Sequence, residues 1–346
     1  MGEKGNVKPS PPLPRDDLEM VLAQVGNDWE KLRGKNIFLT GGSGFFGSWL
    51  LETLLFAADR LGLGVKVWVL SRDPVRFRER LPHLAGHPAV QAVGGGVENF
   101  ILPKEKMDFV IHSMVPDPGM PLPEMEVWFQ KGTGRLLELA VRGRSEGFLL
   151  CSTGAVYQPQ NRPLSEEDPL IPLDAPLSYG RIRRQVEDQC KEACETSGIP
   201  LKIARGFAFA GPRLPENAGF ALVDFYKDAA AGRNIRVKGT GEPVRSYLYA
   251  ADMAVWLWKI LLHRPESGIF NVGSEEGIRL GDLVKRIAAE AGVGAEVLCG
   301  ADAGPTAHAL YVPRSQTAKE ILGVLPSRGL GKILSCALAE AKCSAS

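Results

Sequence analysis

The segment Thr40-Gly41-Gly42-Ser43-Gly44-Phe45-Phe46-Gly47 carries glycines at 41, 44 and 47, a G-x-x-G-x-x-G spacing, directly after the apolar run 36–39. That spacing suits an anion. Gly41 permits a tight turn, Gly44 lets backbone N–H groups approach a pyrophosphate, and Gly47 lets the next helix pack closely on its strand. The start of that helix adds unpaired N–H donors and the positive end of its dipole. A glycine triplet alone marks a turn. Here it stands between a strand and the helical pattern Phe46, Trp49, Leu50, Leu54 and Ala57, which makes it a dinucleotide loop. Gly41, Ser43, Gly44, Phe45, Phe46 and Gly47 are therefore expected to line a cofactor.

The end of the second strand sets which dinucleotide fits, because an acidic side chain there accepts hydrogen bonds from a ribose with free hydroxyls. This chain has Ser71-Arg72-Asp73 at that point. A hydroxyl followed by a guanidinium suits a 2′-phosphate, since Arg is a planar multi-donor phosphate ligand. Ser71 and Arg72 thus favour NADP over NAD. In the competing reading Arg72 is a solvated loop charge and Asp73 meets the ribose.

Metal chemistry finds no support. The cysteines at 151, 190, 194, 299, 336 and 343 form no C-x-x-C pair, and the five histidines are scattered. Cys190 and Cys194 lie one helical turn apart, yet two thiols do not make a structural zinc site. Lys and Arg total 41 against 40 acidic residues, a net charge of +1 that gives no sign of a nucleic-acid or anionic-membrane surface. The longest apolar stretch, 253–262, is broken by Lys259 and falls short of the ~20 residues of a membrane span. The N-terminus lacks the apolar core and cleavage site of a signal peptide. A cytoplasmic protein with no nucleic-acid and no membrane partner is expected.

The scaffold that must carry these residues is legible as a pattern. Of the 346 residues, 45% are hydrophobic, enough for a sizeable core. Apolar runs at 36–39, 65–70, 90–93, 109–112, 148–151 and 201–204 alternate with helical patterns at 46–57, 128–141 and 179–197. Strands apolar along their whole length and separated by helices indicate a parallel sheet covered on both faces. The expected fold class is α/β, a Rossmann-type doubly wound parallel sheet. After Gly211 the pattern is irregular and richer in Gly and Pro, which suggests a smaller C-terminal substrate-binding lobe with segments returning to the sheet. The expected division is 1–34, a leader and short helix; 35–210, the dinucleotide-binding domain; and 211–346, mainly the lobe. Residues 1–15 read as a disordered or loosely attached leader, and Leu18, Val21, Leu22, Val25 and Trp29 place an amphipathic helix over 16–32. Trp256 and Trp258 read as core.

Two further segments complete the pattern. Cys151-Ser152-Thr153-Gly154-Ala155-Val156-Tyr157 closes the fifth strand, and Ser178-Tyr179-Gly180-Arg181-Ile182-Arg183 opens the later helix, with Glu187 beyond it. Further matches are His112, Gly132-Thr133, Phe207, Gly211-Pro212-Arg213, Arg245-Ser246-Tyr247-Leu248-Tyr249 with Asp252, and Asn271-Val272-Gly273. With the loop at 40–47, these resemble the extended short-chain dehydrogenase/reductase superfamily, in its NAD-dependent epimerase/dehydratase branch. The resemblance runs from about Lys35 to about Leu325.

That resemblance implies a chemistry. A tyrosine deprotonates a sugar hydroxyl, or protonates a ketone, while a nicotinamide accepts or returns hydride. Free tyrosine has a pKa of about 10, so roughly one in a thousand is phenolate at pH 7, and a cation one turn away favours the phenolate. Matched residue by residue, Tyr179 becomes the acid/base, Thr153 the hydroxyl that holds the substrate oxygen, and Arg183 the cation. Tyr179, Arg183, His112 and Val97 would also meet the cofactor, Val97 by its backbone near the adenine. Thr153, Ala208 and Arg245 would contact substrate, with Arg245 bridging the diphosphate of a nucleotide sugar. Helices 128–141 and 179–197 would pair across a two-fold axis, giving a homodimer.

Three departures qualify the match. The family's Tyr-x-x-x-Lys lysine is Arg183, which supplies charge but cannot release a proton near neutral pH. The Asp-Glu pair that dehydratases carry after the threonine is Gly154-Ala155, which argues against 4,6-dehydration. The substrate asparagine after Phe207 is Ala208, and the aspartate of the third-strand Gly-Asp-Val is Gly96. The favoured function is thus a nucleotide-sugar epimerase or 4-ketosugar reductase using NADP or NAD. A small-carbonyl reductase of the same fold, or a catalytically impaired dinucleotide-binding protein, are the alternatives.

Overall fold

The computed structural model describes residues 9–215, 221–238, 240–264, 266–298 and 309–345; the first eight residues of the expected leader and Cys299 lie outside the described residues. Contacts divide the chain into two units. One holds residues up to Ser152, Leu173–Ala204 and Leu257–Ile269; the other holds Thr153–Pro172, Arg205–Trp256 and Phe270–Ser346.

β1 (Asn36–Thr40), β2 (Lys66–Ser71), β3 (Val90–Gly94), β4 (Phe109–His112), β5 (Gly147–Thr153) and β6 (Leu201–Gly206) join the strand Gly268–Val272 in a seven-stranded sheet. The order across it is Gly268–Val272, β6, β5, β4, β1, β2, β3. β1 pairs parallel with both β2 and β4, so strand order reverses around it. In a doubly wound sheet the crevice at the carboxyl end of that reversal is where a ligand binds. The expected α/β architecture is the observed one. β3 is the sheet edge and its side chains are largely exposed, which is why its apolar pattern is weak.

Helices cover the first unit's strands: α1 (Arg15–Val25), α2 (Phe45–Leu61), α3 (Pro74–Arg80), α4 (Pro82–Ala85), α5 (Leu122–Gly143) and α6 (Tyr179–Ser197). α2 buries Trp49, Leu50, Leu51, Leu54 and Leu55 and stops at Gly62 in the left-handed conformation. α5 begins six residues before the expected 128–141, because Pro123 is tolerated in a first turn. Ser178 caps α6 by accepting the Arg181 N–H at 3.2 Å. Phe38, Val110, Phe129, Leu136, Phe148, Ile182 and Val186 form the core between sheet and helices, and Cys190 and Cys194 fill it as small apolar side chains.

The N-terminal expectation needs correction. Residues 9–14 are attached: Ser10 N–H donates to Arg80 O at 2.8 Å, and the buried Leu13 donates to Glu52 Oε1 at 2.8 Å. The expected helix over 16–32 ends at Val25, because Gly26 takes φ +60° and the chain continues as a 3-10 turn, Gly26–Leu32. Trp258 is core as expected, its indole N–H on Thr53 Oγ1 at 3.0 Å and its ring 5.1 Å from Trp29.

The second unit is built from short strands. Val244–Ser246 pairs with Gly277–Arg279 and Leu310–Tyr311, and Phe209–Ala210 with Leu248–Tyr249. Among the described residues, no helix is long and apolar enough to cross a membrane.

Candidate functional site

In the first unit the glycine loop has no room for side chains. A Cβ on Gly41, whose φ is +68°, would lie 2.5 Å from Ser113 O; one on Gly47 would lie 2.2 Å from Gly41 O. Gly42, which the spacing argument passes over, is as constrained, since its Cβ would meet Val69 Cγ1 of β2 at 2.4 Å. Gly44 N–H closes the turn onto Gly41 O at 2.8 Å, and Gly44 is the N-cap of α2. Ser113 fastens the loop to β4: its N–H donates to Thr40 Oγ1 at 3.0 Å and its hydroxyl to Thr40 O at 2.6 Å. Ser43 and Phe46 stay half-buried and Phe45 is buried. The result is a backbone cradle at a helix N-terminus, packed too closely at Gly41, Gly42 and Gly47 for a side chain, and it fits a pyrophosphate.

Beside it, Ser71 ends β2 half-buried and Arg72 pairs with Asp117 on the loop after β4. Asp73 is engaged elsewhere: it is the N-cap of α3 and accepts the Arg76 N–H at 2.9 Å. Val97 is buried against Gly132 of α5, where a Cβ would come within 2.7 Å of Val97 Cγ1.

A buried polar group lies at the ends of β4 and β5. His112 is fully buried, its Nε2 3.0 Å from Thr133 Oγ1. Burial and the nearby Arg183 charge push the imidazole down to about 3, so it is neutral at pH 7. Arg183, also buried, donates from Nη2 to Cys151 O at 2.6 Å and stacks 4.5 Å over the Phe129 ring. Its Nε and Nη1 have no hydrogen-bond partner among the described residues. Glu187, one turn on, accepts the Ser152 hydroxyl at 2.6 Å. Burial pushes the Cys151 thiol up to about 12, which leaves it inert near neutral pH. Tyr179 opens α6 and is 37% exposed. Among the described residues, no hydrogen bond joins its hydroxyl to Arg183.

The second unit assembles the substrate-side residues. Thr153 Oγ1 lies 3.2 Å from the Tyr311 hydroxyl and accepts the Ala155 N–H at 3.2 Å. The Tyr311 ring packs 4.7 Å from Phe207, with the Arg245 guanidinium 5.7 Å above its centroid. Arg245 is half-buried and its Nη1 donates to Val244 O at 2.9 Å. Gly154 lies under Phe207, where a Cβ would meet the ring at 2.7 Å. Ala208 accepts the Leu248 N–H at 3.0 Å through its carbonyl. Behind this group, Arg205 donates to the Tyr157 hydroxyl and Tyr157 to Asn271 Oδ1, both at 2.8 Å. Glu166 takes the Asn271 N–H at 2.8 Å, and burial raises its carboxyl above the usual range. Thr153 and Arg245 thus meet around Tyr311, a residue the sequence argument did not identify. The cradle, Ser71, Arg72, Val97, His112, Tyr179 and Arg183 belong to the first unit.

The described residues hold no group of three or more His, Cys, Asp or Glu placed to bind a metal. UDP-glucuronic acid decarboxylase 1 of Xenopus tropicalis is 26% identical over 268 residues, covering 76% of this chain and 62% of that protein. UDP-glucuronic acid decarboxylase 1 of Arabidopsis thaliana is 28% identical over 273 residues, covering 76% and 60%. The match therefore spans about three-fifths of the length of these curated relatives. The structure of UDP-glucuronic acid 4-epimerase from Bacillus cereus in complex with NAD has a TM-score of 0.76 at 21% identity, covering 90% of this chain and all of that one. MoeE5 in complex with UDP-glucose and NAD gives 0.73 at 19%, with the same coverage. Both share the fold. The family model described as NAD dependent epimerase/dehydratase family matches residues 37–273, a span that holds the cradle, Thr153, Tyr179 and Arg245, and the chain belongs to that family.

Proposed function

We propose that this chain is a nicotinamide-dinucleotide enzyme acting on a nucleotide-activated sugar, as an epimerase or a 4-ketosugar reductase. The observation that carries the reading is the group of Thr153, Tyr311 and Arg245: two hydroxyls and a half-buried guanidinium in one unit match a sugar hydroxyl and a diphosphate. A bound dinucleotide supplies the hydride acceptor and donor. Thr153 holds the substrate oxygen, Tyr179 moves the proton at that oxygen, and Arg245 anchors the diphosphate. Arg183, fixed on Cys151 O, contributes positive charge near the start of α6 and no proton relay. The ring of Phe207 over Gly154 leaves no space for a catalytic carboxylate there, which supports a chemistry other than 4,6-dehydration.

The test is incubation of the full chain with oxidised or reduced cofactor and UDP-glucose, UDP-glucuronic acid or dTDP-glucose, with products read by NMR and mass. An epimer or a reduced sugar supports the reading. Loss of carbon dioxide from UDP-glucuronic acid would move the chain to the chemistry named in its decarboxylase relatives. A 6-deoxy-4-keto product would overturn the exclusion of dehydration. Tyr179→Phe should abolish turnover and leave cofactor binding intact.

A second reading, cofactor binding without turnover, draws on Arg183, whose guanidinium is bonded to Cys151 O and stacked on Phe129. Cofactor binding with no product from any sugar, in wild type and in Arg183→Lys, would favour it.

A further inference from the structure

The loops after β2 and β4 are joined by an ion pair between Arg72 and Asp117. β1 stands between those strands, parallel to both, so their carboxyl ends flank the end of β1 that leads into the glycine cradle, and the pair joins the two flanking loops. Each side chain is tuned by the other: Asp117 accepts a hydrogen bond from Arg72 that holds its carboxyl below the usual range, and Arg72 is raised in turn. Asp73, the carboxylate otherwise available to an adenosine ribose, is committed to capping α3. What remains at the end of β2 is a cation already matched by an anion.

We propose that Asp117 is a cofactor-specificity residue that disfavours the 2′-phosphate of NADP(H) and leaves the site to NAD(H). The inference rests on the cradle being a dinucleotide site. It reverses the expectation drawn from Ser71 and Arg72 alone. A 2′-phosphate on Arg72 would have to displace the Asp117 carboxylate or sit beside it, and like charges a few ångströms apart repel. Free ribose hydroxyls carry no such penalty and can hydrogen-bond to the carboxylate. Both side chains are more than half exposed, so the discrimination is electrostatic and weakens as salt rises.

The experiment is calorimetric titration of the full chain with NAD+ and NADP+, for wild type, Asp117→Asn, Arg72→Ala and the double variant. Wild type should favour NAD+. Asp117→Asn should shift the ratio toward NADP+ by about tenfold at low salt, mainly through a lower Kd for NADP+, and by less at high salt. With Arg72→Ala in the background, Asp117→Asn should still shift the ratio toward NADP+, because the carboxylate repels a 2′-phosphate with or without its partner, while NADP+ binds more weakly overall for want of the guanidinium. An equal change for both dinucleotides in Asp117→Asn, or a wild-type preference for NADP+, would overturn the assignment. Failure of wild type to bind either one would instead overturn the dinucleotide reading beneath it. Thermal melting of each variant separates these outcomes from loss of the fold.

Discussion

Tyr311 shows how a residue enters a site without announcing itself in the sequence. It lies 158 residues from Thr153, in a two-residue strand, and its hydroxyl is 3.2 Å from Thr153 Oγ1. If that pair orients the substrate oxygen, Tyr311→Phe should lower kcat by roughly tenfold or more, the order expected for loss of one positioned hydrogen bond. KM for cofactor should not move; steady-state kinetics read both, and unchanged kcat would reduce Tyr311 to packing against Phe207. His112 gives a pH prediction. Its folded pKa is about 3 against an ordinary 6.5, so between those values the unfolded chain binds a proton that the folded chain does not. The stability is therefore full well above pH 6.5 and falls as pH drops toward 3, with a slope that steepens below 6.5 toward about 1.4 kcal/mol per unit. Denaturant unfolding at pH 7, 6 and 5 should show that slope beyond the carboxylate contribution, and His112→Gln should flatten it. At this scale, legibility followed locality. Gly41, Gly44 and Gly47 were readable because their spacing is a local code, whereas Gly42 is constrained by Val69 of a neighbouring strand.

Among the elements, the N-terminal segment ahead of β1 departs furthest from what composition implied. Proline and glycine suggested a disordered or loosely attached leader over 1–15, yet Ser10 and Leu13 are hydrogen-bonded to Arg80 and Glu52, and in the helical pattern that follows Val21, Val25, Trp29 and Leu32 are all fully buried. Lys31 Nζ donates to the last carbonyl of the helix Ala250–Leu262, Leu262 O at 2.5 Å, and to His263 O just beyond it at 3.0 Å. Asp28 takes Lys259 at 3.1 Å and His263 at 3.0 Å. The segment is an integral layer of its unit, although the family match begins only at residue 37. Trp29→Ala should cost about 3–5 kcal/mol, as for a large buried aromatic side chain. A shift in denaturant midpoint measures it; a loss under 1 kcal/mol, the size of an exposed-site change, would mean that the segment is peripheral. The helical period was visible in the residues that became buried. The break at Val25 depended on the single backbone choice of Gly26.

On the scale of the whole molecule, sequence order hides which segments share a unit. The second unit takes in Thr153–Pro172, because Asn271 gathers the carbonyls of Leu164 and Arg314 and the hydroxyl of Tyr157. A linear division at residue 210 has no means to register such cross-links. Assembly is the remaining question at this scale, and we expect a homodimer through α5 and α6. These helices pack side by side, with Arg181 3.7 Å from Glu126 and the Gln189 amide donating to Gln130 O at 3.2 Å. α5 turns Phe129, Leu136 and Ala140 inward yet leaves Val127 and Val141 47% and 44% exposed. Two apolar side chains are a modest patch. A stable dimer needs about 800 Å² from each partner, so much of the polar surface of both helices must join the interface. Such a contact tolerates little buried charge without a partner. Val127→Asp and Val141→Asp together should therefore weaken association by at least tenfold while leaving the melting transition of the diluted monomer near that of wild type. Sedimentation equilibrium at micromolar concentration distinguishes the outcomes. A wild-type monomer there would remove the two-fold pairing of these helices, and a dimer indifferent to both substitutions would place the interface on another face.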